Sequence, residues 1–271
     1  MRNRRYAILI LWLSLAFARG NAQSASPGQN APELFEKGMN ALQGSSATRS
    51  IPNAVDFFRR SAELGFAPAQ VVLGYFYDTG HAVTADPRQA LELYKKAGQQ
   101  DDSLAQWLVG RIIYAGLVPP QDLNEAQKWL EKSSAHGDPF AAYLLGKIAL
   151  ERSDYARSES EFRQAAEQGL PQAQRALAQL LRDGHGAPPD YAEAYVWLLI
   201  SYDGGLRDAM TDLQSLEAEL SSTQVEQAKS KAREREGTMS RSAAAHGCTG
   251  WPGEFGVIPS PPPPDLQRFC R

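Results

Sequence analysis

Ala69, Ala105, Ala141, Ala173 and Ala209 recur at intervals of 36, 36, 32 and 36 residues, and four positions after each stand Leu73, Val109, Leu145, Leu177 and Leu213. A period of this length is that of stacked helix-turn-helix units, each too small to bury its own apolar face without its neighbours. The chain is therefore expected to be all-α, with consecutive antiparallel helix pairs shielding one another in a solenoid.

Taking Ala54, Ala90, Ala126, Ser158 and Ala194 as origins sorts the rest into columns. Four residues before each origin are Ser50, Asp86, Asp122, Asp154 and Asp190, side chains that accept hydrogen bonds from the open N–H groups of a first helical turn. Asp122 with Glu125 and Asp190 with Glu193 have capping-box spacing, and Pro87 follows its cap at the favoured first position. Three and four residues after the origins come Phe57-Phe58, Leu93-Tyr94, Trp129-Leu130, Glu161-Phe162 and Trp197-Leu198, the bulky stripe of a first helix. Seven after come Ser61, Ala97, Ser133, Ala165 and Ser201, small enough for a neighbouring helix to approach. Eleven after come Gly65, Asp101, Gly137, Gly169 and Gly205, where a left-handed residue ends the helix. Second helices then begin near Pro68, Pro139 and Pro171 and carry Gly74, Gly110, Gly146 and Ala178, an internal glycine column that implies tight packing. Gly80, Gly116 and Gly184 close them six residues before the next cap. The third unit lacks four residues before Asp154, with Arg152 in place of that glycine, so its link is expected to be tighter.

These columns resemble the Sel-one-like repeat family, relatives of the tetratricopeptide repeat, in strings such as AVDFFRRSAELGFAPAQVVLGYFYDTGHAVTAD and AQKWLEKSSAHGDPFAAYLLGKIAL. The resemblance covers roughly residues 33 to 236 and implies a right-handed α-solenoid whose members do adaptor work in signalling, envelope assembly or host contact. Residues 33–53 are read as a leading helix and loop, 54–206 as about four repeats with the start of a fifth, and 207–236 as a terminal helical pair that caps the stack. From 237 to 271 the pattern stops, and Pro261 to Pro264 read as a stiff extended segment in an irregular tail.

The first residues, MRNRRYAILILWLSLAFARGNAQ, have a basic start at Arg2, Arg4 and Arg5, an apolar run from Tyr6 to Phe17 and small residues suited to cleavage after Ala18 or Ala22. Twelve apolar residues span roughly 18 Å as a helix against a hydrocarbon core of about 30 Å, so residues 1–22 read as a secretory signal and 23–32 as a linker, without stable membrane insertion afterwards. The expected location is periplasmic or secreted. Loss of the three arginines leaves 25 basic against 31 acidic residues, a balance that disfavours nucleic acid as a partner. Cys248 and Cys270, the two cysteines, lie outside the repeats, and an oxidising compartment predicts a disulfide between them. His246 with both cysteines supplies three potential zinc ligands, where a structural site wants four at closer spacing.

Catalytic signals are weak. The chain has no Gly-x-Ser-x-Gly elbow and no serine followed three residues later by lysine, so the chain does not read as an enzyme and no cofactor is expected. His81 and His185 follow equivalent loop glycines, which repetition alone explains. A more suggestive feature is the cationic column five and six residues past the origins: Arg59, Arg60, Lys95, Lys96, Lys132 and Arg163. First helices line the concave surface in tetratricopeptide-like stacks, where such a strip would hold a carboxylate terminus or an acidic segment; the plainer alternative, which the resemblance implies, is that lysine is common at this column in the family and the side chains' stems cover the apolar stripe below. The expectation is a scaffold for a protein or peptide partner, with a cell-wall or β-lactam hydrolase and a structural subunit of an export machine as alternatives.

Overall fold

The computed structural model describes residues 30–43, 50–80, 82–185 and 188–243, and among these the chain forms twelve helices and no strand. It divides into two compact units. Within residues 30–97 lie α1 (Ala31–Gln43), α2 (Ile51–Glu63), α3 (Ala67–Thr79) and nearly all of α4 (Pro87–Gly98). Residues 98–243 hold α5 (Ser103–Tyr114), α6 (Leu123–Ala135), α7 (Pro139–Glu151), α8 (Tyr155–Glu167), α9 (Pro171–Asp183), α10 (Tyr191–Asp203), α11 (Ala209–Glu217) and α12 (Ser222–Ala243). The expected signal, the linker up to residue 29, His81, His246 and both cysteines lie outside the described residues.

Helix starts follow from the cap column. Ser50 accepts from Asn53 N, Asp86 from Arg88 N and Gln89 N, Asp122 from Asn124 N and Glu125 N, Asp154 from Arg157 N and Asp190 from Glu193 N. First helices end in a left-handed residue even where the column departs from glycine: φ is +87° at Gly65, +86° at Gly137 and still +68° at Asp101. Asp is one of the few side chains that tolerates this region, because its carboxylate bonds locally; here Asp101 accepts from Gln106 Nε2 at 3.0 Å. Links of three to five residues then turn the chain back on itself, which makes helix partners antiparallel.

Packing between successive pairs rests on a seam that the glycine column creates. A Cβ at Gly38 or Gly74 would stand 2.7 Å from the ring of Phe58 or Tyr94, and one at Gly110 or Gly146 would stand 2.5 Å from Leu130 or Phe162. A second helix therefore receives the bulky residue of the next first helix directly against its backbone. Gly38 shows that α1 already acts as such a second helix. The seam is reinforced by serine: Ser61 Oγ donates to Ala31 O at 2.6 Å, Ser133 Oγ to Ser103 O at 2.9 Å and Ser201 Oγ to Pro171 O at 2.8 Å, each reaching 30 residues back. Ser158, which replaces an alanine at its origin, donates to Gly146 O at 2.9 Å.

Two departures from the sequence reading concern helix ends. In the short third link the left-handed residue is Ser153, at φ +58°, while Arg152 has φ −91° and caps α7 instead of replacing the missing glycine. Fewer residues between helices push the turn up against the Asp154 cap. At the other end, α12 runs through Gly237 to Ala243, past the point at which the regular pattern ends. A helical glycine costs about 1 kcal/mol, a loss that the long polar helix around it absorbs.

Candidate functional site

Residues three and six past an origin lie on one face of a first helix, a single turn apart. On α2 these are Phe57 and Arg60, on α4 Leu93 and Lys96, on α6 Trp129 and Lys132. Phe57, Leu93 and Trp129 are each only half-buried, so an apolar group and a cation stand together at the surface of each helix.

The six candidate cations differ in what they do. Arg59 and Lys95 are half-buried, and Lys96 is exposed. Arg60 Nη1 lies 3.8 Å from Asp56 and Arg163 Nη2 2.6 Å from Glu159, both pairs one turn back on the same helix. Lys132 Nζ sits 4.7 Å above the Trp129 ring, a cation-π contact. The acid at the same column on α6, Glu131, accepts from Arg157 of α8 at 2.7 Å, and that hydrogen bond holds its carboxyl below the ordinary value. Arg60 and Arg163 are thus paired with acids of their own helices, and Lys96 and Lys132 are exposed. Arg59, Arg60, Lys95 and Lys96 belong to the first unit and Lys132 and Arg163 to the second.

The same face is covered at α10. Trp197, in the column of Trp129, is only 1% exposed because α12 packs across α10. Lys231 Nζ and Arg235 Nη1 each donate to the Glu193 carboxylate at 2.6 Å, and the Arg235 guanidinium lies 4.4 Å from the Trp197 ring centroid. Burial alone would raise the Glu193 carboxyl, but the two basic side chains outweigh it and hold the group below its usual range. Beyond this contact two shallow hollows of about 420 and 300 Å³ share Glu167: one is lined by Ser160, Arg163, Gln164 and Gln168, the other by Arg235, Thr238 and Met239.

Sequence reasoning missed two sets of residues. Gln70, Gln106 and Gln174 donate from Nε2 to Ala62 O, Gly98 O and Ala166 O at 3.1 to 3.2 Å, tying each second helix to the end of its own first helix. Their signal was present, since each follows a ladder alanine. Glu193 with Lys231 and Arg235 had no such signal, because 38 and 42 residues separate the partners and no period relates them.

His136 Nε2 lies 3.1 Å from Asp101, and the His185 ring stacks on Tyr155 with centroids 4.2 Å apart, so both rings are engaged in the scaffold. Among the described residues no three His, Cys, Asp or Glu side chains cluster as a metal site requires, and no helix is long and apolar enough to cross a membrane.

The sequence profile of the Sel1 repeat matches residues 38–66, 67–102, 103–138 and 171–206. It passes over residues 139–170, where α7 and α8 are present but their link is short. Among solved structures, the chain is similar to c5321, a protective antigen present in uropathogenic Escherichia coli strains and displaying an SLR fold, at 28% identity and a TM-score of 0.71. That match covers 80% of this chain and 48% of c5321, so the chain spans about half the length of that relative. A Sel1 repeat protein from Oxalobacter formigenes matches in fold, with 23% identity, a TM-score of 0.62 and coverage of 86% of this chain and 97% of that one. The curated proteins gave no match.

Proposed function

Because the chain belongs to the Sel1 repeat family, whose members are generally scaffolds for protein–protein interaction, we propose that it is a periplasmic adaptor that holds a peptide or protein on its first-helix faces. It does so without catalysing a reaction. The observation that carries this reading is the recurrent pairing of a half-buried apolar residue with a cation one turn on, as at Leu93 with Lys96 and at Trp129 with Lys132. Such a pair offers a partner both an apolar contact and a charge, and Trp129 is of a residue type enriched at interface hot spots. The periplasmic location rests on the basic, then apolar, then small-residue order of the first 22 residues.

The test is crosslinking in an envelope extract, followed by mass spectrometry, with the wild-type chain and with a Lys96→Glu, Lys132→Glu double variant. Specific partners recovered with the wild type and lost with the variant support the reading. Equal recovery with both removes these faces as the binding surface.

A further inference from the structure

Within the second unit each first helix packs on the second helix before it, α6 on α5, α8 on α7 and α10 on α9, so a helix following α11 would be expected to pack on α11. Instead α12 turns back after the four-residue link 218–221 and packs on α10. Its contacts form one narrow stripe. Ala228 and Ala232 are both 4% exposed and Val225 and Met239 are half-buried against the same core, while Lys231 and Arg235 hold the Glu193 carboxylate and Arg235 covers Trp197. The column of Trp197 is left half-buried on α2, α4 and α6, as Phe57, Leu93 and Trp129, so α12 occupies at α10 the kind of face that the scaffold reading assigns to a partner. Its match to that face is incomplete in two places. The Trp197 indole Nε1 is buried with no acceptor among the described residues, a loss larger than the net gain from an ordinary hydrogen bond. Glu236 of α12 stands near Asp203, the last residue of α10, and partial burial together with that carboxylate holds the Glu236 carboxyl above its ordinary value.

We propose that α12 is a built-in competitor, a displaceable cover that closes the α10 face until a better-matched cationic helix of a partner evicts it. That partner carries two small residues a turn apart and a lysine and an arginine four residues apart, as Ala228, Ala232, Lys231 and Arg235 do here, with no acid in the place of Glu236. Its lysine and arginine take over the Glu193 carboxylate, and a side-chain oxygen that reaches Trp197 Nε1 adds the bond that α12 does not make. The short link keeps α12 at a high effective concentration beside α10, so weakly matched helices are refused and only a tighter one enters. The proposal rests on the scaffold reading and adds how one of its faces is regulated.

The probe is a fluorescein-labelled peptide with the sequence of residues 222–243, read by fluorescence anisotropy against the full wild-type chain and a full-length Lys231→Glu, Arg235→Glu variant, whose own α12 has lost its grip. The variant should bind one peptide per chain, about tenfold or more tighter than the wild type, in which the tethered helix competes. Glu193→Gln added to that variant should weaken binding about fivefold, the loss of an ion pair, and a Glu236→Lys peptide should bind about fivefold tighter than the native one. Circular dichroism shows that each variant is folded; where the charge reversal does not fold, Lys231→Gln with Arg235→Gln takes its place. No saturable binding to either chain, the behaviour of a fixed end cap, overturns the proposal. So does equal binding to both chains, binding that Glu193→Gln leaves unchanged, or a Glu236→Lys peptide no tighter than the native sequence. Partners recovered from the envelope extract through Lys96 and Lys132 would stand in each of these cases, so failure of the cover and failure of the scaffold reading are distinguishable.

Discussion

An alanine at position 110 would bring its Cβ to 2.5 Å from Leu130 Cγ, and Leu130 is fully buried, with no space to turn into. Overpacking of this kind costs about 1–3 kcal/mol, so Gly110→Ala should lower the melting temperature by several degrees. Gly137→Ala is the control. Its φ of +86° strains any side chain, but a Cβ there meets nothing within 4 Å, so its cost is about 1 kcal/mol. A larger loss at 137 than at 110 would show that the seam yields. Asp138 poses a proton-counting problem. Ser133 Oγ lies 2.9 Å from Ser103 O and 3.0 Å from Asp138 Oδ2, three oxygens with one hydroxyl proton among them. Burial pushes the Asp138 carboxyl up, so it contributes stability when protonated, fully present below the ordinary Asp value and lost as pH rises through its folded value. Asn at this position can cap through its oxygen and donate to Ser133 through its amide. Asp138→Asn is therefore expected to raise stability at pH 7 and to change it little at pH 3, as thermal melts at the two values will show.

Helix boundaries reflect how much of each element its own residues determine. Caps, left-handed ends and the glycine column could be read in advance because each is set by local backbone geometry within a few residues. Asp101 at a glycine position was readable only in part, since its left-handed φ is secured by Gln106 and not by its type alone. Ion pairs at Arg60 and Arg163 were also within reach, as an acid precedes each by four residues. The placement of α12 was not, because a polar helix shows no apolar period that would point to its seat. Its hold depends on charge. A Glu with a depressed carboxyl contributes stability above its unfolded value, about 4.3, and loses it as pH falls through the lower folded value. Amide protection in α12 should therefore drop on acidification below about pH 4 while α5 to α9 stay protected, and Glu193→Gln should produce the same loss at pH 7. Uniform protection across both conditions would show that Ala228, Ala232 and their neighbours hold the helix without the ion pairs.

For the molecule as a whole, the period identified the architecture and the family, whereas the partner is a property of surface chemistry that no repeat encodes. Export makes two measurable claims. Protein recovered from a bacterial envelope should begin at Arg19 or Gln23, and Cys248 and Cys270 should give no free thiol until reduced. A chain that retains Met1 would show that no signal is cleaved, and two titratable thiols in the isolated protein would place it in a reducing compartment. The fold-back of α12 also bears on how such a chain lengthens. Each internal junction sets a small residue against a bulky one, so a duplicated module of 36 residues could be spliced between two repeats and find matching surfaces on both sides. Added after α11, the same module would carry α12 away from its place on α10, so an insertion there costs the Glu193 contacts that an internal one keeps.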